Sequence, residues 1–254
     1  MTLSFTQAFV TSLFLVSIRI GALFLFTPLF ATGGVPPRVR MLFTIALAAL
    51  LVFIVPFDSS AAPATMGHLL VAGAFEVALG GVLAFGVSAA FAAFQLGGRV
   101  LDFQLGFGVA NLIDPATRTQ APLLGTMLGM MGVTIFFAVD AHHHLIRGLA
   151  HSLQAIPPGT GPGDVTIAAL ADHFGRMFRF ALSIVAAPVL AHLLADLGIA
   201  FAGRTMPQFN MFILGIPIKV VLGIALLAGS LAFVSPLLAR LFESIFLFWD
   251  EVLG

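Results

Sequence analysis

Apolar residues run along the chain in seven blocks separated by short polar connections: Phe5–Phe30, Met41–Phe57, Leu69–Phe94, Leu123–Val139, Phe178–Phe201, Phe209–Val234 and Leu237–Leu253. A helix crosses a hydrocarbon core of ~30 Å with about 20 apolar residues, so the first six blocks predict membrane-spanning helices. Met41–Phe57 and Leu123–Val139 sit at the short limit. The seventh block differs. Arg240, Glu243, Asp250 and Glu251 interleave there with apolar residues at helical spacing, which predicts an amphipathic helix over about residues 237–253. No block repeats another recognisably and no polar linker intervenes, so residues 1–254 read as one all-α integral membrane domain. The first block has no basic leader or small-residue cleavage site before it and is read as retained.

Five prolines lie in or beside these blocks: Pro28, Pro56, Pro188, Pro217 and Pro236. Each removes a backbone donor and crowds the preceding turn, which predicts several long, kinked or broken helices. Carbonyls freed in this way cannot face lipid and must turn toward protein or a water-filled cavity. In the third block Gly80, Gly81 and Gly86, followed by Ser88, Ala89, Ala90, Ala92 and Ala93, form a surface on which a neighbouring helix approaches closely.

Composition narrows the class. The chain is 60% hydrophobic and 9% charged, with 11 basic and 11 acidic residues, and its mean hydropathy is +1.11. A soluble domain carries about 25% charged residues, so soluble enzymes, nucleic-acid binders and disordered chains are excluded. Cysteine is absent, which removes disulfides and thiolate chemistry. Tyr is absent too, Trp249 is the only Trp, and Phe supplies 27 residues, leaving almost no interfacial Trp/Tyr belt. Either Phe substitutes for them or much of the surface faces other proteins. Arg38 and Arg40, then Arg99 and Arg118, then Arg204 place basic charge in the first, third and fifth connections, which predicts that these face the cytoplasm. Arg147, Arg176 and Arg179, in or beside the fourth connection, interrupt that pattern.

Ionisable groups inside apolar blocks are costly and mark candidate sites. Arg19, Glu76, Asp196 and Lys219 are such groups, read as interhelical charge pairs in preference to a proton relay, because no acidic cluster accompanies them. Glu76 is the best candidate for more than packing. His142, His143 and His144 are adjacent, so on a helix they point about 100° apart and are not expected to share a metal. Asp140 with His144, and His144 with His151, do share a face. No His-Glu-x-x-His motif, Ser/His/Asp arrangement, paired carboxylates or phosphate-cradling Gly-Lys motif is compelling, so no metal, no cofactor and no catalytic residue is expected.

The connection Gly97–Pro115 carries the strongest signal. Gly106 and Gly108 open backbone conformations closed to other residues, and Pro115 holds Asp114 extended. A loop this apolar does not belong in water, and one this irregular cannot lie in lipid, so it must be enclosed by protein, for instance inside a pore. Four blocks then resemble the FliR/SctT family of export-gate membrane proteins of flagellar and virulence type III secretion. They are Gly33-Gly34-Val35-Pro36-Pro37-Arg38-Val39-Arg40; Gly106 to Pro115 with Ala116; Asp140-Ala141-His142-His143-His144-Leu145-Ile146-Arg147 running on to Ser152 and Ile156-Pro157-Pro158-Gly159; and Met206-Pro207-Gln208-Phe209-Asn210-Met211-Phe212 with Gly215-Ile216-Pro217.

The resemblance implies a structural, non-enzymatic subunit of the gate for unfolded export substrates, packed with FliP/SctR-like and FliQ/SctS-like subunits into a helical assembly. FlhB/SctU-like and FlhA/SctV-like proteins would join it. It further implies a bacterial inner-membrane, flagellar basal-body location, contact with membrane lipid, no nucleic acid, and an assembled core on the periplasmic side. A central loop at about 103–122 would be the plug, with Gly106, Phe107, Gly108, Val109, Ala110, Asn111, Leu112, Ile113, Asp114 and Pro115 closing the channel. Relatives often carry aromatics at the positions of Val109 and Leu112, whereas here the aromatic is Phe107. The alternatives are a virulence-type gate subunit, a secondary transporter with broken helices at Pro188 and Pro217, and an intramembrane hydrolase using the histidine block.

Overall fold

The computed structural model describes residues 2–29, 34–56, 65–107, 122–161, 165–206 and 211–254, excluding the side chains of 2–8, 211–214 and 231–235. Among the described residues the protein is all-helical: α1 (Thr2–Phe26), α2 (Pro37–Ile54), α3 (Met66–Gln104), α4 (Leu123–Ala138), α5 (Ala141–Ala155), α6 (Ile167–Thr205) and α7 (Met211–Leu253). Helix α2 starts with Pro37 in its first turn, where the missing N–H has no helical acceptor to lose. Its end at Ile54 precedes Pro56, which disfavours helix at Val55, and Val55 is extended (φ −85°, ψ 118°).

The helix boundaries depart from the apolar blocks in an informative way. The sixth and seventh blocks fuse into the single 43-residue helix α7, which carries Pro217 and Pro236 inside it, and Pro188 lies inside the 39-residue α6. Those three prolines therefore do not break their helices; Pro28 and Pro56 lie just beyond the ends of α1 and α2. The sharp break falls where no proline stands. Helices α4 and α5 bend by 74° at Asp140, whose left-handed backbone (φ 57°, ψ 22°) turns the chain. Among the described residues four helices are long and apolar enough to cross a membrane, or five if the bent pair forms one span, against six spanning blocks in the sequence. At 1.5 Å per residue, α3 with its 39 residues extends about 58 Å, roughly twice a hydrocarbon core.

Packing resolves into two compact units, Met1–Ala90 with Phe136–Phe174 and Phe242–Gly254, and Phe91–Ile135 with Gly175–Leu241. The core of the first holds Leu15, Leu23, Leu83, Leu149, Ile245 and Trp249, each fully or almost fully buried. Helices α1 and α3 touch backbone to backbone in it, since a Cβ on Gly80 would lie 2.4 Å from the Arg19 carbonyl oxygen. Trp249 is seated against two glycine-bearing helices: a Cβ on Gly148 would fall 2.5 Å from its Cε3, and one on Gly86 3.1 Å from its Nε1. That indole N–H donates to the Leu83 carbonyl at 3.0 Å. Phe248 beside it stacks on His173 (4.4 Å, 25°), whose Nε2 lies 3.1 Å from the Gly86 carbonyl. Gly80 and Gly86 thus serve internal packing, while Gly81 faces open space.

The second unit repeats the device with different residues. A Cβ on Gly98 of α3 would sit 2.4 Å from the Gly125 Cα of α4, so these two helices also meet at their backbones. Apolar side chains remain outside in both units. Met41, Leu42, Phe53 and Ile54 of α2, and Leu190, Leu194, Leu197 and Phe201 of α6, are all exposed.

Candidate functional site

Arg19 and Glu76 form a bidentate ion pair at the α1–α3 crossing, with Nε donating to Oε2 at 2.6 Å and Nη2 to Oε1 at 3.1 Å. The guanidinium does more than meet one carboxylate. Nη1 donates to the Ser152 carbonyl at 2.8 Å and to its hydroxyl at 3.3 Å, and Nη2 donates to the Ile156 carbonyl at 2.9 Å. Five acceptors thus surround the five N–H donors of an arginine. Two of those acceptors are carbonyls at and just beyond the C-terminus of α5, where orphan acceptors and the negative end of the helix dipole favour a cation. The Gly159 N–H donates back to Glu76 Oε1 at 3.1 Å. Arg19 and Glu76 are both almost completely buried, and they tie α1, α3 and the Ile156–Gly159 exit of α5 together.

Asp196 and Lys219 form a second ion pair, between α6 and α7, and this one is partly solvent-exposed. One turn before Asp196, the His192 ring is fully buried between two carbonyls, with Nδ1 2.9 Å from Pro188 O and Nε2 3.0 Å from Lys219 O. Gly223 makes room for it, since a Cβ there would lie 2.7 Å from the imidazole. The proline-bearing turn of α6 is therefore held to α7 by an imidazole and an ion pair side by side.

At the head of the central loop, α3 runs to Gln104, and Gly106 with φ 80° turns the chain out of the helix. Phe107 is half-buried. Gly108, Val109, Ala110, Asn111, Leu112, Ile113, Asp114 and Pro115 lie outside the described residues. At the foot of the loop, α4 begins after Pro122. Asp102 of α3 reaches across to it: Oδ1 accepts the Leu124 N–H and Oδ2 the Gly125 N–H, both at 3.0 Å. Asp102 is buried.

The histidine block opens α5. His142 and His143 meet more closely than helical spacing alone suggests, with ring centroids 4.1 Å apart, and His143 Nδ1 lies 3.5 Å from Asp140 Oδ1. Side chains at a helix start can swing toward each other, so the two rings approach although their positions on the helix are about 100° apart. The ligand atoms of Asp140, His142 and His143 fall within 4.8 Å of one another. Ligands around tetrahedral zinc stand about 3.3 Å apart, so the trio would have to close in to hold an ion. His144 and His151 line a shallow cavity of about 210 Å³ with Arg147, Phe246, Trp249 and Asp250.

Sequence reasoning singled out Arg19, Glu76, Asp196 and Lys219 but missed the buried carboxylate of Asp102 and the groups that meet Arg19 and Glu76. Asp102, Ser152 and Gly159 act through contacts to or from residues 22 to 133 positions away. His192 had a visible signal, as a histidine one turn before Asp196 in an otherwise apolar block.

The profile of the family described as "Bacterial export proteins, family 1" matches residues 10–245. The chain belongs to that family. It is similar to the flagellar biosynthetic protein FliR of Bacillus subtilis (strain 168), with 33% identity over 237 residues covering 90% of this chain and 89% of the relative. The flagellar biosynthetic protein FliR of Escherichia coli (strain K12) is 25% identical over 232 residues, covering 90% and 87%. The Yop proteins translocation protein T of Yersinia pestis is 29% identical over 147 residues, covering 57% and 56%. The chain is thus a FliR/SctT-type export protein, and its apolar helices make it a membrane protein.

Proposed function

We propose that this export protein is a structural subunit of a type III protein export gate, forming and closing the channel through which unfolded flagellar substrates pass. The observation that carries the reading is the family match over residues 10–245, a span that takes in all four sequence blocks. The helix lengths agree with it: α3, α6 and α7 are too long for a single bilayer crossing and suit an assembly that rises out of the membrane plane, on the periplasmic side of the inner membrane. The exposed apolar faces of α2 and α6 suit FliP/SctR-like and FliQ/SctS-like neighbours, with FlhB/SctU-like and FlhA/SctV-like proteins joining the assembly. The flagellar role is preferred to the virulence role because the two FliR relatives align over 89% and 87% of their length, against 56% for the Yop translocation protein.

Closure is assigned to residues 106–115, acting as an apolar constriction that excludes ions until a substrate displaces it. Deleting Phe107–Leu112 tests this in the purified gate reconstituted into vesicles. Ion conductance is expected to rise well above that of the intact gate, and an unchanged conductance would sink the plug assignment.

A further inference from the structure

We infer that the start of α5 is a binding site for a divalent transition-metal ion, with the Asp140 carboxylate and the His142 and His143 imidazoles as its protein ligands. Asp140 holds the N-cap position of α5, where an aspartate ordinarily accepts an amide N–H of the first turn, yet its side chain makes no capping bond. Its left-handed backbone differs from the extended one that capping uses, and the carboxylate meets His143 instead, with Oδ1 3.5 Å from Nδ1. A second observation is independent of the first. Nδ1 of His142 is buried and has no hydrogen-bond partner among the described residues, a costly state that a bound ion relieves. The third is proximity: one ligand atom from each of the three residues falls within 4.8 Å of the others.

Little movement is needed to close the site. Ligand atoms around tetrahedral zinc stand about 3.3 Å apart, so no pair has more than ~1.5 Å to travel. The His143 and Asp140 side chains, 62% and 70% exposed, are free to supply it. One carboxylate oxygen with two imidazole nitrogens suits Zn(II), Ni(II) or Cu(II) better than Mg(II) or Ca(II), which prefer oxygen alone. Water fills the remaining positions on so open a surface. The positive end of the α5 dipole, about half a unit charge, opposes a cation, and the full negative charge of Asp140 offsets it. His144 lies apart, beside Phe246 and in the cavity with Arg147 and His151. An ion held by Asp140 and by the first turn of α5 would fasten the turn between α4 and α5.

The full chain in detergent, purified without a histidine tag and stripped with a chelator, tests this by calorimetric titration with ZnCl2. One Zn(II) per chain is expected, together with a rise in the thermal midpoint. Asp140→Asn, whose side chain also tolerates the left-handed backbone, and His143→Ala should each weaken binding by at least the ~10-fold that loss of an outer partner of a metal ligand costs. Both should keep the metal-free thermal midpoint near that of the parent. His144→Ala/His151→Ala should bind as the parent does. Cu(II) in place of Zn(II) gives a readout on the unmodified chain, which decides the matter if a variant fails to fold: its electron paramagnetic resonance spectrum should show coupling to two imidazole nitrogens. No binding by the parent would overturn the site. So would binding that survives Asp140→Asn and His143→Ala, binding lost in His144→Ala/His151→Ala, or a Cu(II) spectrum with fewer than two imidazole nitrogens.

Discussion

Arg19 is held by five acceptors in a buried setting, so removing its carboxylate partner leaves a charge that water cannot reach. Glu76→Ala should destabilise the protein by about 3–5 kcal/mol, whereas Arg19→Met/Glu76→Leu, which removes both charges, should cost less than the single change. The thermal midpoint in detergent reads the order, and a harmless Glu76→Ala would contradict it. At this scale the sequence exposes which side chains are expensive, because a charge in an apolar block is visible on its own. It hides what satisfies them. The acceptors on Arg19 include backbone carbonyls of Ser152 and Ile156, which every residue carries, so composition cannot single them out.

Elements were legible as apolar blocks but not at their ends. An interior proline costs a helix one hydrogen bond and a steric clash, about 3 kcal/mol, which tertiary packing can offset; α6 and α7 accordingly run through Pro188, Pro217 and Pro236. The true bend came from a left-handed Asp140, a conformation that aspartate tolerates without advertising it. Charges along residues 237–253 marked a two-faced helix, yet not that its apolar face, with Phe242, Ile245, Phe248 and Trp249, is buried within this chain. That burial makes the last three turns of α7 a structural anchor. Trp249→Ala should cost about 3–5 kcal/mol through the cavity it leaves. Since Trp249 is the only tryptophan, its own fluorescence reports the environment beforehand: emission from the folded protein should be that of a buried indole and should shift to the red on unfolding. Wild-type stability in Trp249→Ala would remove the anchor from the account.

For the whole molecule, 60% apolar against 9% charged residues places the chain in a membrane. The packing adds that apolar residues are used in two ways, for cores closed over glycine contacts and for outward faces on α2 and α6 left for something else to cover. Helices of 39 and 43 residues outrun one bilayer, so part of that outward surface calls for protein contact rather than lipid. Membership of the export-protein family says what kind of machine would supply it. The measurement that tests this most directly is detergent extraction of the chain expressed with the proposed FliP/SctR-like and FliQ/SctS-like partners, followed by the mass of the intact particle. The account predicts one stable complex containing all three proteins; recovery of this chain only as a free, active monomer would contradict it.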